Sequence, residues 1–437
     1  MERVAVSARQ GQVLVALVLA LMALFLFTSA PASPNGDNGA GCGKVVKKSV
    51  RLSHDLLECP GDGLIVGANG ITINLNGKMI DGVGLGVGIR NDGFDRVKIR
   101  NGRIHQFDYG IQLNAGTHRN LLTKLTVLEN EVAGIQLSNA DTKNRVTRNV
   151  VELNSGDGVA IVNGSSRNVV ARNTFRTNES NGVFVVGSSG NRIARNIFAT
   201  NSDRHIRLDF SNGNALVWNI LSRGGDAAVE LTSSNSNLLA RNTVTTSGDA
   251  GFVLTRSSRN RLVGNFATSS SDAGVFLQYS NKNTLLKNAF NGNPAGIDLA
   301  SSHGNVIESN AANANMGNGI NLEDSNDNRI RRNRVNGNQG TGIYVVGEAL
   351  EAGLRVRGNV LRWNTVSRNG KAGVEIASPG HMLRDNRAFL NSGWGIHAVV
   401  GTLGGGNWAS GNAEITQCYG IVCLLRATGP RRKPKKD

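Results

Sequence analysis

The heptapeptide Asp203-Arg204-His205-Ile206-Arg207-Leu208-Asp209, with Glu230 lying 23 residues beyond Arg207, gathers acid, base and cation in one short stretch of a 437-residue chain. A base beside a cation can withdraw a proton next to a sugar carboxylate, while the cation steadies the charge that develops. Arg207, Asp209, Glu230 and His205 are therefore the catalytic candidates. The same residue types on neighbouring strands also form an ordinary cross-strand ion pair, and the sequence leaves both readings open.

Two other charged series recur. Asp203, Asp226, Asp249 and Asp272 follow one another at 23-residue intervals; stacked carboxylates suit calcium, which takes oxygen ligands, and Asp is equally favoured as a turn cap. Arg148, Arg172, Arg195, Arg241, Lys287 and Arg332 each precede an asparagine, a basic stripe able to hold a linear polyanion by repeated contacts. No aromatic platform is read beside that stripe, so nucleic acid is not expected as a partner. Phe184, Phe276, Asp298 and Tyr344, together with Arg148, Arg172 and Arg195, make up the substrate-binding candidates.

These series exist only if equivalent residues are stacked, and the chain repeats in a way that stacks them. A small residue followed by two apolar residues separated by one variable position recurs from Gly88 through Gly110, Gly134, Gly158, Gly182, His205, Ala228 and Gly251 to Gly395, and twelve of the thirteen intervals are 22 to 24 residues. The exception, Gly342 to Gly373, contains Glu348 to Gly353 as a loop. Alternating apolar pairs such as Ile135 and Leu137, or Val159 and Ile161, are the signature of strands. A second segment in each period runs from Asn to Asn, as in Asn168 to Asn173, and a third apolar position follows, as in Phe175 and Phe198. Three short strands per 23 residues predict an all-β solenoid of about fifteen coils, a single-stranded parallel β-helix. Asparagine tolerates left-handed turns and its amide can bond the same amide one coil away, so the columns through Asn149, Asn173, Asn196 and Asn219 are expected to be structural ladders.

The ends and the composition bound the setting. Residues 1–32 have the layout of an export signal, with Arg3 and Arg9, an apolar run from Val13 to Phe27 and small residues at Ala30-Pro31-Ala32; a retained anchor is the alternative. Cys42 with Cys59, and Cys418 with Cys423, predict one local disulfide at each end. The domains expected are an N-terminal cap at 33–62, repeats at 63–412, a C-terminal cap at 413–429 and a basic tail at 430–437. With 55 Gly, 7 Pro, 5% aromatics and 39% apolar residues the chain suits a thin continuous core, and its net charge of +16 points to a polyanionic partner.

The repeat, with Cys59-Pro-Gly-Asp-Gly-Leu-Ile-Val-Gly67 and Ile73-Asn-Leu-Asn-Gly-Lys-Met-Ile-Asp-Gly82 at its start, resembles the right-handed parallel β-helix repeat proteins of pectin-lyase-like fold, in particular exported bacterial members. Similar repeats occur in alginate C5-epimerases and in the periplasmic accessory protein of nitrous oxide reductase. The motifs that the epimerases and the polygalacturonases of this fold would suggest are absent; Gly380-His381-Met382 is only a fragment of one. The 5 Met and 7 His are scattered, unlike a copper carrier. The resemblance implies an exported, monomeric protein without a membrane span after signal cleavage, which binds an acidic polysaccharide or anionic envelope and, on the catalytic reading, modifies it as a lyase or C5-epimerase. A non-catalytic envelope or adhesion protein is the alternative.

Overall fold

The computed structural model describes residues 41–347 and 358–424. The export-signal segment, the loop at Glu348 to Gly353 and the basic tail lie outside the described residues.

Each period supplies three short strands. The first face is built from strands such as Val183–Val186, Ile206–Asp209 and Val229–Thr232. The second carries Arg192–Ala194, Ala215–Val217 and Leu238–Ala240, and the third Ile197–Ala199, Ile220–Gly224 and Thr243–Ser247. Every strand pairs in parallel with its equivalent one turn away: Val183 with Ile206, Ile206 with Val229, Ala215 with Leu238. The first face alone is a 17-stranded sheet, and Lys98–His105 and Leu121–Leu128 bend without a break from the second face into the third. The described residues contain no helix; they form an all-β parallel solenoid of about sixteen turns.

The turn count exceeds fifteen because the disulfide-bearing segment is itself a turn. Lys44–Val46, Val50–Arg51 and Leu56–Cys59 pair with Leu64–Val66, Thr72–Asn74 and Met79–Gly82, and Cys42 is bonded to Cys59. At the other end Cys418–Tyr419 pairs with Ile396–His397, beside the Cys418–Cys423 bond.

The core is one continuous column. Ile135, Val159, Val183 and Ile206 line up along the interior with no exposed surface, as do Phe175 and Phe198, whose rings stack at 4.9 Å. Asparagine ladders run beside it. The Oδ1 of Asn173 accepts from the backbone N–H of Asn149 at 2.9 Å, and its Nδ2 donates to the Val146 carbonyl at 2.9 Å. The same arrangement repeats through Asn196, Asn219, Asn242 and Asn265. Each amide thereby satisfies buried backbone groups that would otherwise be left without partners at a corner. A second ladder runs through Asn144, Asn168 and Asn191, and a third through Asn130, Asn154, Asn178 and Asn201.

The third ladder explains the glycine anchors. A Cβ added at Gly134 would stand 2.8 Å from the Gly158 carbonyl oxygen and 3.0 Å from Nδ2 of Asn154. The anchor must be small where the ladder asparagine of that turn fills the space. In the turn of His205 the ladder position is Gly224, and in the turn of Ala228 it is Ser247, which leaves room for a larger anchor in those two turns; Gly251 stays glycine although its ladder position is Ser270.

Candidate functional site

His205 occupies that vacated space and is fully buried. Its ring lies 5.9 Å from that of Phe198; Nδ1 accepts from Asn201 at 3.0 Å and Nε2 donates to the Ser222 carbonyl at 3.0 Å. These bonds fit the neutral imidazole, and burial pushes its pKa down to about 4, against the pull of the Ser222 carbonyl. His205 therefore stands among the core side chains and the third ladder, not on the outer surface with the other catalytic candidates.

Those candidates do project outward from the first face. Arg207 is paired with Glu230 in register across adjacent turns, its Nη2 bonds Asp209 at 2.8 Å, and its guanidinium lies 5.4 Å from the Phe184 ring one turn below. Burial works against the charge of Arg207, but the bond to Asp209 and the nearby Glu230 and Asp203 carboxylates outweigh it and hold its pKa above the ordinary value. The sequence reading passed over the hub of the cluster. Arg204 contacts Asp203 and Glu230 at 2.5 Å and Asp226 at 2.8 Å. It sits immediately before the anchor, an outward position that counting alternate residues after the anchor does not reach. The cluster pairs four carboxylates with two guanidinium groups: Oε2 of Glu230 lies against Arg204, while Oδ1 of Asp209 is buried without a hydrogen bond. A base in this cluster reaches substrate only after an ion pair opens.

The aspartate column is split. Asp203 and Asp226 share Arg204. Burial, then Asp272 and Asp226, push the Asp249 carboxyl above the usual range. Among the described residues no group of three or more His, Cys, Asp or Glu side chains could hold a metal ion.

The substrate-binding candidates fall on two separate surfaces. Phe184, Phe276, Asp298 and Tyr344 share one outward column of the first face, where Phe276 neighbours Asp298 and Asn321 neighbours Tyr344. Burial raises the Asp298 carboxyl while Asn321 donates to it at 2.9 Å. Tyr344 is six turns from Arg207, about 29 Å at the usual strand spacing, so the two do not share one small site. Arg148, Arg172 and Arg195 stand elsewhere, at the corner between the second and third faces.

At that corner the charge is of one sign. Lys98, Arg100, Lys124, Arg145, Arg148, Arg172, Arg192 and Arg195 line an open groove of about 690 Å³, and no carboxylate is among its lining residues. The groove crosses five successive turns, each of which contributes one or two cations. None of the eight is ion-paired within the described residues.

The corner column also holds tryptophan. Trp218 and Trp363 stand where Arg148 and Arg172 stand in their own turns, directly before a ladder asparagine, so the expectation of a stripe without aromatic rings is corrected. The guanidinium of Arg241 lies 4.7 Å from the Trp218 ring, and those of Arg332 and Arg362 lie 4.6 and 3.7 Å from Trp363. A pattern of Arg or Lys before Asn marks neither ring, nor Lys124, which precedes Leu125. All nine residues, Lys124, Arg148, Arg172, Arg195, Trp218, Arg241, Lys287, Arg332 and Trp363, have φ between 54° and 61°. A left-handed backbone costs a side-chain-bearing residue about 1–2 kcal/mol, which Gly or Asn largely avoids.

The fold and its ladders define a parallel β-helix. The chain belongs to the family described as "right handed beta helix region", whose model matches residues 52–198, 162–302 and 204–361. No curated protein matches it in sequence. Among solved structures, the A-module of a mannuronan C-5 epimerase from Azotobacter vinelandii is 14% identical over 84% of this chain and 88% of its own, with a TM-score of 0.46. The Dettilon tailspike protein is 13% identical over 74% of this chain and 61% of its own, at 0.45. DFA-IIIase from Arthrobacter chlorophenolicus A6, in complex with GF2, is 14% identical over 52% and 67%, at 0.42. At such identities the likeness is one of fold.

Proposed function

We propose that this protein is an extracytoplasmic β-helix that binds an acidic polysaccharide along the corner between its second and third faces. The observation that carries the reading is the groove from Lys98 to Arg195, eight cations with no carboxylate among them. Unpaired like charges on adjacent strands repel one another, and a polyanion relieves that repulsion while gaining charge-assisted bonds from the guanidinium forks. The two disulfides support a place outside the cytoplasm.

The test is affinity electrophoresis of the protein through gels containing alginate, pectate or a neutral glucan. Retardation by the acidic polymers alone is expected, and its loss when Arg148, Arg172 and Arg195 are all changed to Asn. Asparagine suits the left-handed backbone, so this variant keeps the fold. Equal migration in all gels would end the proposal.

Modification of the polymer is the further part of the reading. It assigns Asp209 or Glu230 as the base at C5 of a uronate and Arg207 as the partner of the sugar carboxylate, on a segment of the polymer other than the run held at the corner. A lyase would reveal itself by absorbance of unsaturated uronates, an epimerase by a changed epimer ratio in proton NMR. Either signal must vanish in both Arg207→Ala and Glu230→Ala; activity that survives them places the chemistry elsewhere.

A further inference from the structure

We propose that the corner column measures its ligand: it holds an unbranched polyuronate parallel to the rod axis, one sugar per turn, with Trp218 stacking on the ring that follows the cationic run. The inference rests on the polysaccharide reading above and adds to it a direction, a spacing and an aromatic subsite.

Direction comes from the layout of the cations. Lys124, Arg148, Arg172 and Arg195 occupy the same position in four successive turns, with φ of 55°, 60°, 59° and 57°, and Trp218 takes that position in the fifth, at 61°. Beside the column on the second face stand Thr123, Thr147, Ala171 and Ala194, and on the third face Thr126, Val150, Thr174 and Ile197. A polymer crossing the corner within one turn meets at most two of the groove's cations, as at Arg145 with Arg148 or Arg192 with Arg195. One lying along the corner meets a cation at every turn.

Spacing follows from the sheet. Successive turns are about 4.8 Å apart, and an extended chain of linked pyranose rings advances by nearly the same distance per sugar. A polymer with a carboxylate on every sugar therefore keeps step with the arginines. One with a carboxylate on alternate sugars leaves every second turn without an anion.

The column is not a by-product of the backbone. The equivalent corner between the third and first faces has the same left-handed geometry and carries Glu129, Leu153, Thr177, Thr200, Arg223 and Thr246 in successive turns, with no preference for one charge. Trp218 fits as the end of the run. The residue is 46% exposed, Arg241 covers one face of its ring, and no second cation stacks on it among the described residues. An indole face of this kind packs against the apolar C–H face of a pyranose, and Arg241 beside it can take the carboxylate of the same sugar.

The experiment is calorimetric titration of the full chain at fixed low salt with three probes: a short homopolymeric oligouronate, an alternating glycosaminoglycan fragment of equal carboxylate number, and oligothymidylate. The oligouronate is expected to bind at least tenfold more tightly than the alternating fragment. Trp218→Asn, which suits the left-handed backbone, is expected to lower oligouronate affinity about tenfold, and Trp218→Tyr to restore most of it. Equal affinity for the two glycans, or no effect of Trp218→Asn, overturns the spacing or the aromatic subsite while leaving polysaccharide binding intact, provided the triple Asn variant still loses it. Tightest binding to oligothymidylate, or no binding to either glycan, overturns both proposals.

Discussion

The outer surface of the first face and the corner between the second and third faces rest on the same backbone repeat and use their charges in opposite ways. On the face, Arg204 is shared by Asp203, Asp226 and Glu230, and Arg207 pairs with Asp209; every cation is taken up, and carboxylates are in excess. At the corner eight cations have no carboxylate among them, and seven cations and two tryptophans accept a left-handed backbone. A face whose carboxylates outnumber its guanidinium groups repels a polyanion. Unpaired charge at strained positions, as at Lys124, Arg148, Arg172 and Arg195, is destabilising until something anionic arrives, which is why the corner is assigned the grip on the polymer.

Four substitutions press on that contrast. The largest effect is expected at the corner: changing Arg148, Arg172 and Arg195 together to Asn should weaken polyuronate binding about a hundredfold or more at low salt, and should leave the melting temperature unchanged or raised, because repulsion and left-handed strain are removed together. A fall in melting temperature instead would mean that the arginines serve the fold. On the face the pattern should invert. Arg204→Ala leaves Asp203, Asp226 and Glu230 without their shared cation, and denaturant titration should show a loss of about 2 kcal/mol, with polymer affinity changed less than about twofold. Smaller again is the loss from Arg195→Asn alone, expected to reduce the steepness of log affinity against log salt by about one, whereas Arg207→Asn should leave that slope as it is.

A last effect concerns the interior and is seen only on acidification. Because His205 is held near pKa 4 when folded, against its ordinary value of 6.5, the unfolded chain binds its proton first. Stability from this group is complete above pH 6.5 and is lost as the pH falls through 4, a change on the order of 3 kcal/mol at most. His205→Gln should flatten the fall in melting temperature between pH 6.5 and pH 4; an unchanged profile would show that another group controls it.

The fold was readable in the sequence because every turn repeats the same demand. Ile135, Val159 and Val183 must face inward, and Asn149, Asn173 and Asn196 must close the same corner, so spacing alone places them. The sites were less readable because they depend on how the three faces are joined. His205 looked like an intruder on a glycine column, yet its cause lies nineteen residues on, at Gly224, where the ladder asparagine is missing. Arg148 and Tyr344 entered one set of substrate-binding candidates although they stand on different surfaces, a separation that the period does not encode. Trp218 was hidden because it takes an arginine's place without sharing its charge; only the common position before asparagine marks it.

A crystal structure of the protein with a hexauronate decides most directly between the two regions. The account predicts sugar density along the corner, parallel to the rod axis, with carboxylates at Arg148, Arg172 and Arg195 and a ring against Trp218. Density lying on Arg207 and Glu230, with the corner empty, would contradict it.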